Sequence, residues 1–263
     1  KTFFAEKLAY LIMGKQDPDK IKIVQFHQSY SYEDFILGYK PTLKNDQPTF
    51  QIEEGAFYKF CATAKNNPKE KYFFIIDEIN RGNLSKIFGE LMMLIEADKR
   101  EKRITLAYSR DAEEDYFCDD DKFYVPDNIY IIGTMNTADR SIAMVDYALR
   151  RRFAFITLGS VLTNSGDKKL LNKFRDTMKK EYDWKAKDID NIVNSITSVN
   201  KRLMNHFESE DYNIGHSYFC RKKSSESDLE DIFNFEINPL LKEYLFDEKT
   251  EIFEQDWAIK LTS

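Results

Sequence analysis

The sequence predicts an α/β fold: a parallel sheet flanked by helices, followed by a smaller helical domain. Three observations predict it. Up to about residue 158, short apolar runs alternate with stretches of helical period, a pattern that suits a parallel sheet covered on both faces. Two of those runs, Tyr72–Ile76 and Ile129–Ile132, are unbroken in aromatic and β-branched residues, as in strands buried on both faces. Beyond Gly159 the strand patterns stop, and Gly, Ser, Thr and Asn accumulate over 159–165 as a boundary. The expected organisation is an α/β core over 1–160 and a helical domain over 161–263.

The first expected element is a helix over 2–13, where Phe3-Phe4-Ala5-Glu6-Lys7-Leu8-Ala9-Tyr10-Leu11-Ile12 has apolar residues at helical period. Lys1-Thr2 stands directly before it. A P-loop ends in Gly-Lys-Ser/Thr and runs into such a helix, so Lys1-Thr2 reads as the tail of that motif, its glycine loop and strand lying ahead of Lys1. In this reading Lys1 reaches the β- and γ-phosphates of a nucleotide and Thr2 offers its hydroxyl to Mg2+. A lysine there by chance is the competing reading.

A strand follows at 21–26. Ser31-x-x-Asp34 before Phe35 reads as a helix cap, a capping box with Asp in place of Glu. The neighbouring Tyr30, Tyr32, Phe35 and Tyr39 read as packing residues, against the alternative that they face a pore or a partner. A helix over 55–65 then leads into the strand 72–77.

That strand runs straight into Asp77-Glu78. Open α/β sheets place ligands at the carboxyl ends of their strands. Paired acids there suit metal-assisted phosphate chemistry, with Asp77 in the metal shell and Glu78 activating a water. A strand that merely ends in surface acids gives the same pattern, so this signal alone is unspecific. A helix over 85–97 has Ile87, Leu91, Leu94 and Ile95 at 3.6-residue spacing. A polar hairpin pairing 103–109 with 117–125 precedes the strand 129–134.

The strand 129–134 opens into Met135-Asn136-Thr137-Ala138-Asp139-Arg140-Ser141. Asn136 stands where a neutral amide holds an attacking water or senses a γ-phosphate, with Asp139 and Arg140 as polar partners. A short helix then closes on Arg150-Arg151-Arg152, before a last strand at 153–158. Cations at a helix carboxyl end are favoured by its dipole. Three consecutive arginines point in different directions, however, and a planar guanidinium suits transition-state phosphate charge. At least one is read as an arginine finger. The short helix separates Arg151 and Arg152 from Asn136, which favours reaching the next subunit's nucleotide in a head-to-tail ring.

DEINRGNLSKIFGELMMLIE with IIGTMNTADRSIAMVDYALRRRF resembles the AAA+ domain of McrB-type restriction NTPases, and VQFHQSYSYEDFILGYKP and NIGHSYF are similar to further signatures of that family. The resemblance is densest over 22–158, and MNTADRS is its specific part. It implies an AAA+ P-loop NTPase core with a helical lid, acting as a ring-forming hydrolase, a hexamer, that prefers GTP to ATP and uses Mg2+. It also implies a McrC-type endonuclease partner that cuts modified DNA. By motif, Lys1 and Thr2 match the P-loop tail, and Asp77 and Glu78 the metal and water-activating acids. Asn136 and Asp139 match the signature asparagine and aspartate, and Arg151 and Arg152 the arginines that reach a neighbour's nucleotide. Gly215-His216-Ser217 lies where AAA+ lids turn back toward nucleotide. His216 is either a nucleotide contact or a helix-start residue bonded to backbone.

The net charge of −6 excludes a global basic field that would draw this chain to DNA, so DNA reading is assigned to a separate domain. Cys61, Cys118 and Cys220 lack metal-ligand spacing and are odd in number, which fits reduced thiols in the cytoplasm. The three histidines are scattered, which argues against zinc. No apolar run reaches the roughly eighteen residues of a membrane span. Lys-rich segments are read as solvated helix faces. Two other classes remain beside the GTP-driven restriction motor. One is an ATP-dependent protein remodeller of MoxR or dynein-like kind. The other is a non-hydrolysing ring scaffold, against which Glu78, Asn136 and the arginine run speak.

Overall fold

The computed structural model describes residues 1–44, 46–108, 122–136, 150–163, 166–222 and 227–246. The chain divides into two compact units, Lys1–Phe155 and Ile156–Ser263.

In the first unit, β1 (Ile21–Gln25), β4 (Tyr72–Asp77) and β5 (Ile129–Gly133) form a parallel sheet in the order β1-β4-β5. β4 is central because its run of Tyr, Phe and Ile is apolar on both faces: Tyr72 to Ile76 are all at most 3% exposed. α1 (Thr2–Met13) packs on β4 through Ala5 and Ala9, small side chains four residues apart that let the helix approach closely. Phe3 and Leu11 of the same helix are by contrast 72% and 77% exposed. On the other side of the sheet, Phe35 stacks on Phe57 and meets Phe74 and Phe88 edge-on, an aromatic cluster between α2 (Tyr32–Phe35), α3 (Ala56–Lys65), β4 and α4 (Leu84–Phe88).

The capping box forms at the start of α2. The Ser31 hydroxyl accepts from Asp34 N–H, and the Asp34 carboxylate accepts from Ser31 N–H. Four expectations are corrected. An antiparallel hairpin, β2 (Leu37–Lys44) with β3 (Gln47–Glu54), occupies a stretch for which no strands were expected. The helix expected over 85–97 is two short helices, α4 and α5 (Leu91–Leu94), broken at Gly89, whose φ of +49° and ψ of −129° no helix contains. β5 is only partly buried, with Tyr130 41% exposed, because among the described residues it pairs with β4 alone. Finally, residues 153–158 form no strand, and Ile156 is 79% exposed. An extended segment becomes a strand only when a neighbour takes its backbone groups, and no described strand pairs with this one. Of the expected polar hairpin, the described part holds one antiparallel bridge, Ile104 to Phe123.

The second unit is helical. α6 (Lys168–Lys180) and α7 (Ala186–Phe207) lead to α8 (Asp228–Ile232) and α9 (Asn238–Tyr244). α7 buries Ile189, Ile192, Val193, Ile196, Val199 and Leu203 at helical spacing. A π-helical turn over Phe233–Ile237 joins α8 to α9 just before Pro239, whose ring nitrogen donates no hydrogen bond. Asn200, 1% exposed, makes a three-point clamp: its amide nitrogen donates to Leu162 O and Ile214 O, and its oxygen accepts from Ile214 N–H. Among the described residues no helix is long and apolar enough to cross a membrane.

Candidate active site

The parallel register brings the ends of β4 and β5 side by side, and the loops beyond them are stitched together. Thr134 N–H donates to Ile76 O and Ile79 N–H to Thr134 O, both at 2.9 Å. Between these bonds Glu78 takes a left-handed conformation, φ 51° and ψ 46°, uncommon for a residue with a Cβ. That turn places Asp77 and Glu78 on the same rim as Asn136.

The amino end of α1 meets this rim. Thr2 Oγ1 donates to Asp77 Oδ1 at 2.6 Å, and Lys1 Nζ donates to Asn136 Oδ1 at 2.7 Å and to Met135 O at 2.6 Å. Asn136 Nδ2 donates to Glu78 Oε1 at 2.8 Å, and Arg81 Nε donates to Glu78 Oε2 at 3.3 Å. Five of the residues singled out from sequence, Lys1, Thr2, Asp77, Glu78 and Asn136, thus lie in one cluster. Thr134 was missed: its hydroxyl also donates to Asp77 Oδ1. Its signal was its place as the first polar residue after the apolar run of β5. Asn80, also missed, donates from Nδ2 to Asn136 O at 3.2 Å.

Burial alone would raise the Asp77 pKa. The hydroxyls of Thr134 and Thr2, together with a nearby positive charge and a backbone N–H, more than offset it and hold the carboxyl below its ordinary value, so Asp77 stays anionic. Asp77 and the Thr2 hydroxyl form a hard oxygen pair of the kind that takes Mg2+, which fills its remaining positions with phosphate and water. Among the described residues there is no cluster of three or more His, Cys, Asp or Glu that could hold a metal ion.

The arginines separate. Arg152 is tied within its own subunit: its side chain is 8% exposed and its guanidinium lies 2.7 Å from Glu96, which also pairs with Lys99. Arg150 and Arg151 are exposed. Asp139 lies outside the described residues. His216 belongs to the second unit, half-buried edge-on to Phe174 at 5.8 Å, and burial lowers its pKa. Cys61 and Cys220 are free thiols, and Cys118 falls outside the described residues.

A parallel sheet whose strand ends carry paired acids and an asparagine, met by the lysine and threonine that open α1, has the architecture of the P-loop nucleotide-binding class. The chain belongs to the AAA family: the model of the AAA domain (dynein-related subfamily) matches residues 1–153. A second model, that of the McrB alpha-helical lid domain, matches residues 191–253. Over 271 residues the chain is 45% identical to the type IV methyl-directed restriction enzyme EcoKMcrB subunit of Escherichia coli (strain K12), covering 99% of this chain and 54% of that one. It is 27% identical over 182 residues to the type II restriction enzyme BsuMI component YdiS of Bacillus subtilis (strain 168), covering 59% and 52%. The chain therefore spans about half the length of the curated relatives it matches. The McrB-type resemblance carried by DEINR and MNTADRS extends across almost all of the chain.

Proposed function

We propose that the protein is the nucleotide-hydrolysing ring subunit of a modification-dependent DNA restriction system, preferring GTP to ATP and activating a McrC-like endonuclease in the cytoplasm. The observation that carries the hydrolytic part is the cluster of Lys1, Thr2, Asp77, Glu78 and Asn136 at the carboxyl end of the sheet. The restriction role is supported by similarity to the E. coli subunit over 99% of this chain.

In this reading Thr2 and Asp77 hold Mg2+, which neutralises phosphate charge when bound. Lys1 binds the terminal phosphates as a point charge. Glu78 takes a proton from the attacking water, and Asn136, already bonded to Glu78, orients that water. Asp139 assists from the same signature, and His216 contacts nucleotide from the lid. Arg151 acts on the next subunit's nucleotide in a hexameric ring, with Arg152 beside it. DNA is read by a separate domain, consistent with a net charge of −6.

A second reading, an ATP-dependent protein remodeller of MoxR or dynein-like kind, is favoured by the dynein-related subfamily match. Turnover of GTP and ATP by the full-length protein, side by side and with or without its endonuclease partner, separates the two. Glu78→Gln keeps the shape and hydrogen bonding of the side chain but removes the base. Nucleotide binding should persist while kcat falls roughly 100-fold or more. Near-normal turnover in that variant would remove Glu78 from the mechanism.

A further inference from the structure

Asn200 stands where the apolar pattern of α7 calls for an aliphatic side chain, between Ile196 and Leu203 on the buried face, and it is 1% exposed. A buried amide is costly unless its polar atoms find partners. Here both do, and every partner is main chain: Nδ2 donates to Leu162 O at 2.8 Å and to Ile214 O at 3.0 Å, while Oδ1 accepts from Ile214 N–H at 2.6 Å. Ser160 joins the same knot, donating from Oγ to Ile214 O at 2.9 Å and accepting from Leu162 N–H at 3.1 Å. Ile214 lies in no helix or strand, so these side chains serve its peptide groups as a ladder does elsewhere.

The knot lies two residues before His216. Gly215 is extended, at φ −82° and ψ 167°, and a 3-10 turn over His216–Phe219 follows, anchored by the buried Phe219 ring. Beyond it, Trp184 Nε1 donates to Arg221 O at 3.0 Å. The segment 214–221 is therefore held at both ends by buried side chains, Asn200 ahead of the imidazole and Trp184 after it. A leucine at position 200 would also fill the core, but it would leave Ile214 N–H and Leu162 O without the partner they have here. The amide thus contributes a defined backbone position more than it contributes packing, and a side chain is presented accurately only when the backbone beneath it is fixed in this way.

We infer that Asn200 is a positioning residue: through Ile214 it sets where His216 is presented to nucleotide, and through Leu162 it ties that placement to the segment that opens the second unit. This deepens the reading of His216 as a nucleotide contact and rests on it. A histidine on a free loop is ordered by a ligand only at a cost in conformational entropy, which weakens binding. The knot moves that ordering into folding. Asn200 itself never touches nucleotide, and its whole effect on binding passes through His216.

The test uses the full-length protein and its Asn200→Ala, Ser160→Ala, His216→Ala, Asn200→Ala/His216→Ala and Leu241→Ala variants. The last removes packing from the same core, in α9. The Kd of a fluorescent nucleotide analogue, and KM and kcat for GTP and ATP, are read at a temperature where thermal melts show every variant folded. Asn200→Ala should raise Kd and KM together by roughly three- to tenfold with kcat changed less than about twofold, and Ser160→Ala should raise both roughly twofold. In the His216→Ala background Asn200→Ala should add less than about twofold, because the two substitutions remove one and the same contact. Leu241→Ala should lower the melting midpoint and leave Kd at the parent value. A parent-like Kd in Asn200→Ala, an equal loss in Leu241→Ala, or additive losses in the double variant overturns the positioning role. Where Asn200→Ala does not fold, Ser160→Ala decides, and a parent-like Kd there overturns it. Parent-like binding in His216→Ala overturns the reading of His216 and the positioning role with it, whereas a loss there beside an unaffected Asn200→Ala overturns the positioning role alone.

Discussion

Burial around His216 disfavours its imidazolium and sets its pKa below the ordinary 6.5. The unfolded chain, at the ordinary value, takes up a proton first as the pH falls. The stability His216 contributes is therefore intact above about 6.5 and is lost as pH drops through the lower folded value. Thermal unfolding between pH 7.5 and 5.5 should show a midpoint that declines less in His216→Gln than in the parent; identical slopes would rule the histidine out. At this scale the candidate site was largely legible. Lys1, Thr2, Asp77, Glu78 and Asn136 are chemical types whose place at strand or helix ends follows from hydrophobic pattern alone. Thr134 had only its place just after β5 as a signal and Asn80 had none, because their contacts with Asp77 and Asn136 depend on the register of β4 against β5. Nor could sequence tell Arg152 from Arg151, since the partner that distinguishes them, Glu96, lies 56 positions earlier in the chain.

Close backbone approach decides stability at Gly55, the residue before α3. Its N–H donates to Ile36 O at 2.7 Å, and a Cβ there would sit 2.3 Å from Phe35 C and 2.5 Å from Ile36 N. Those are main-chain atoms next to the fully buried Phe35 ring, so they yield poorly. Gly55→Ala should cost on the order of 1–3 kcal/mol in urea unfolding; a loss below about 0.5 kcal/mol would show that the turn relaxes. The helix 2–13 and the strands at 72–77 and 129–133 were readable because their apolar runs are long and their period unambiguous. The β2–β3 hairpin was not, since Pro41 and Pro48 argue against strand. They are tolerated because a two-stranded ribbon has an unpaired outer edge on each strand. The break at Gly89 was equally hidden. Gly89 interrupts an otherwise correct helical spacing, and a Cβ there would meet the ring of Tyr32 at 3.1 Å.

Assembly is the scale at which the arginines are tested. If Arg151 serves the next subunit's nucleotide, hydrolysis depends on protein concentration, because the site is complete only after subunits meet. Arg151→Ala and Glu78→Gln subunits should each be inactive alone. Mixed, they form junctions at which an intact Glu78 faces an intact Arg151, and activity should return. No recovery in rings shown to co-assemble would argue for a site within one subunit. Arg152→Ala should behave differently, lowering the unfolding midpoint through loss of its nearly buried pair with Glu96, a shift Arg151→Ala should not produce.

The left-handed backbone at Glu78 also has a meaning for thermal endurance and for drift under relaxed selection. Glycine rests in that conformation without the steric penalty a side chain incurs, at the cost of a more flexible unfolded chain. Glu78→Gly should therefore abolish turnover while holding or raising the unfolding midpoint, whereas Glu78→Gln, which keeps the Cβ, should not raise it. A screen for heat resistance that ignores hydrolysis would be drawn to position 78, and a copy of this protein that kept its shape but no longer needed its reaction would tend to lose its acid there first.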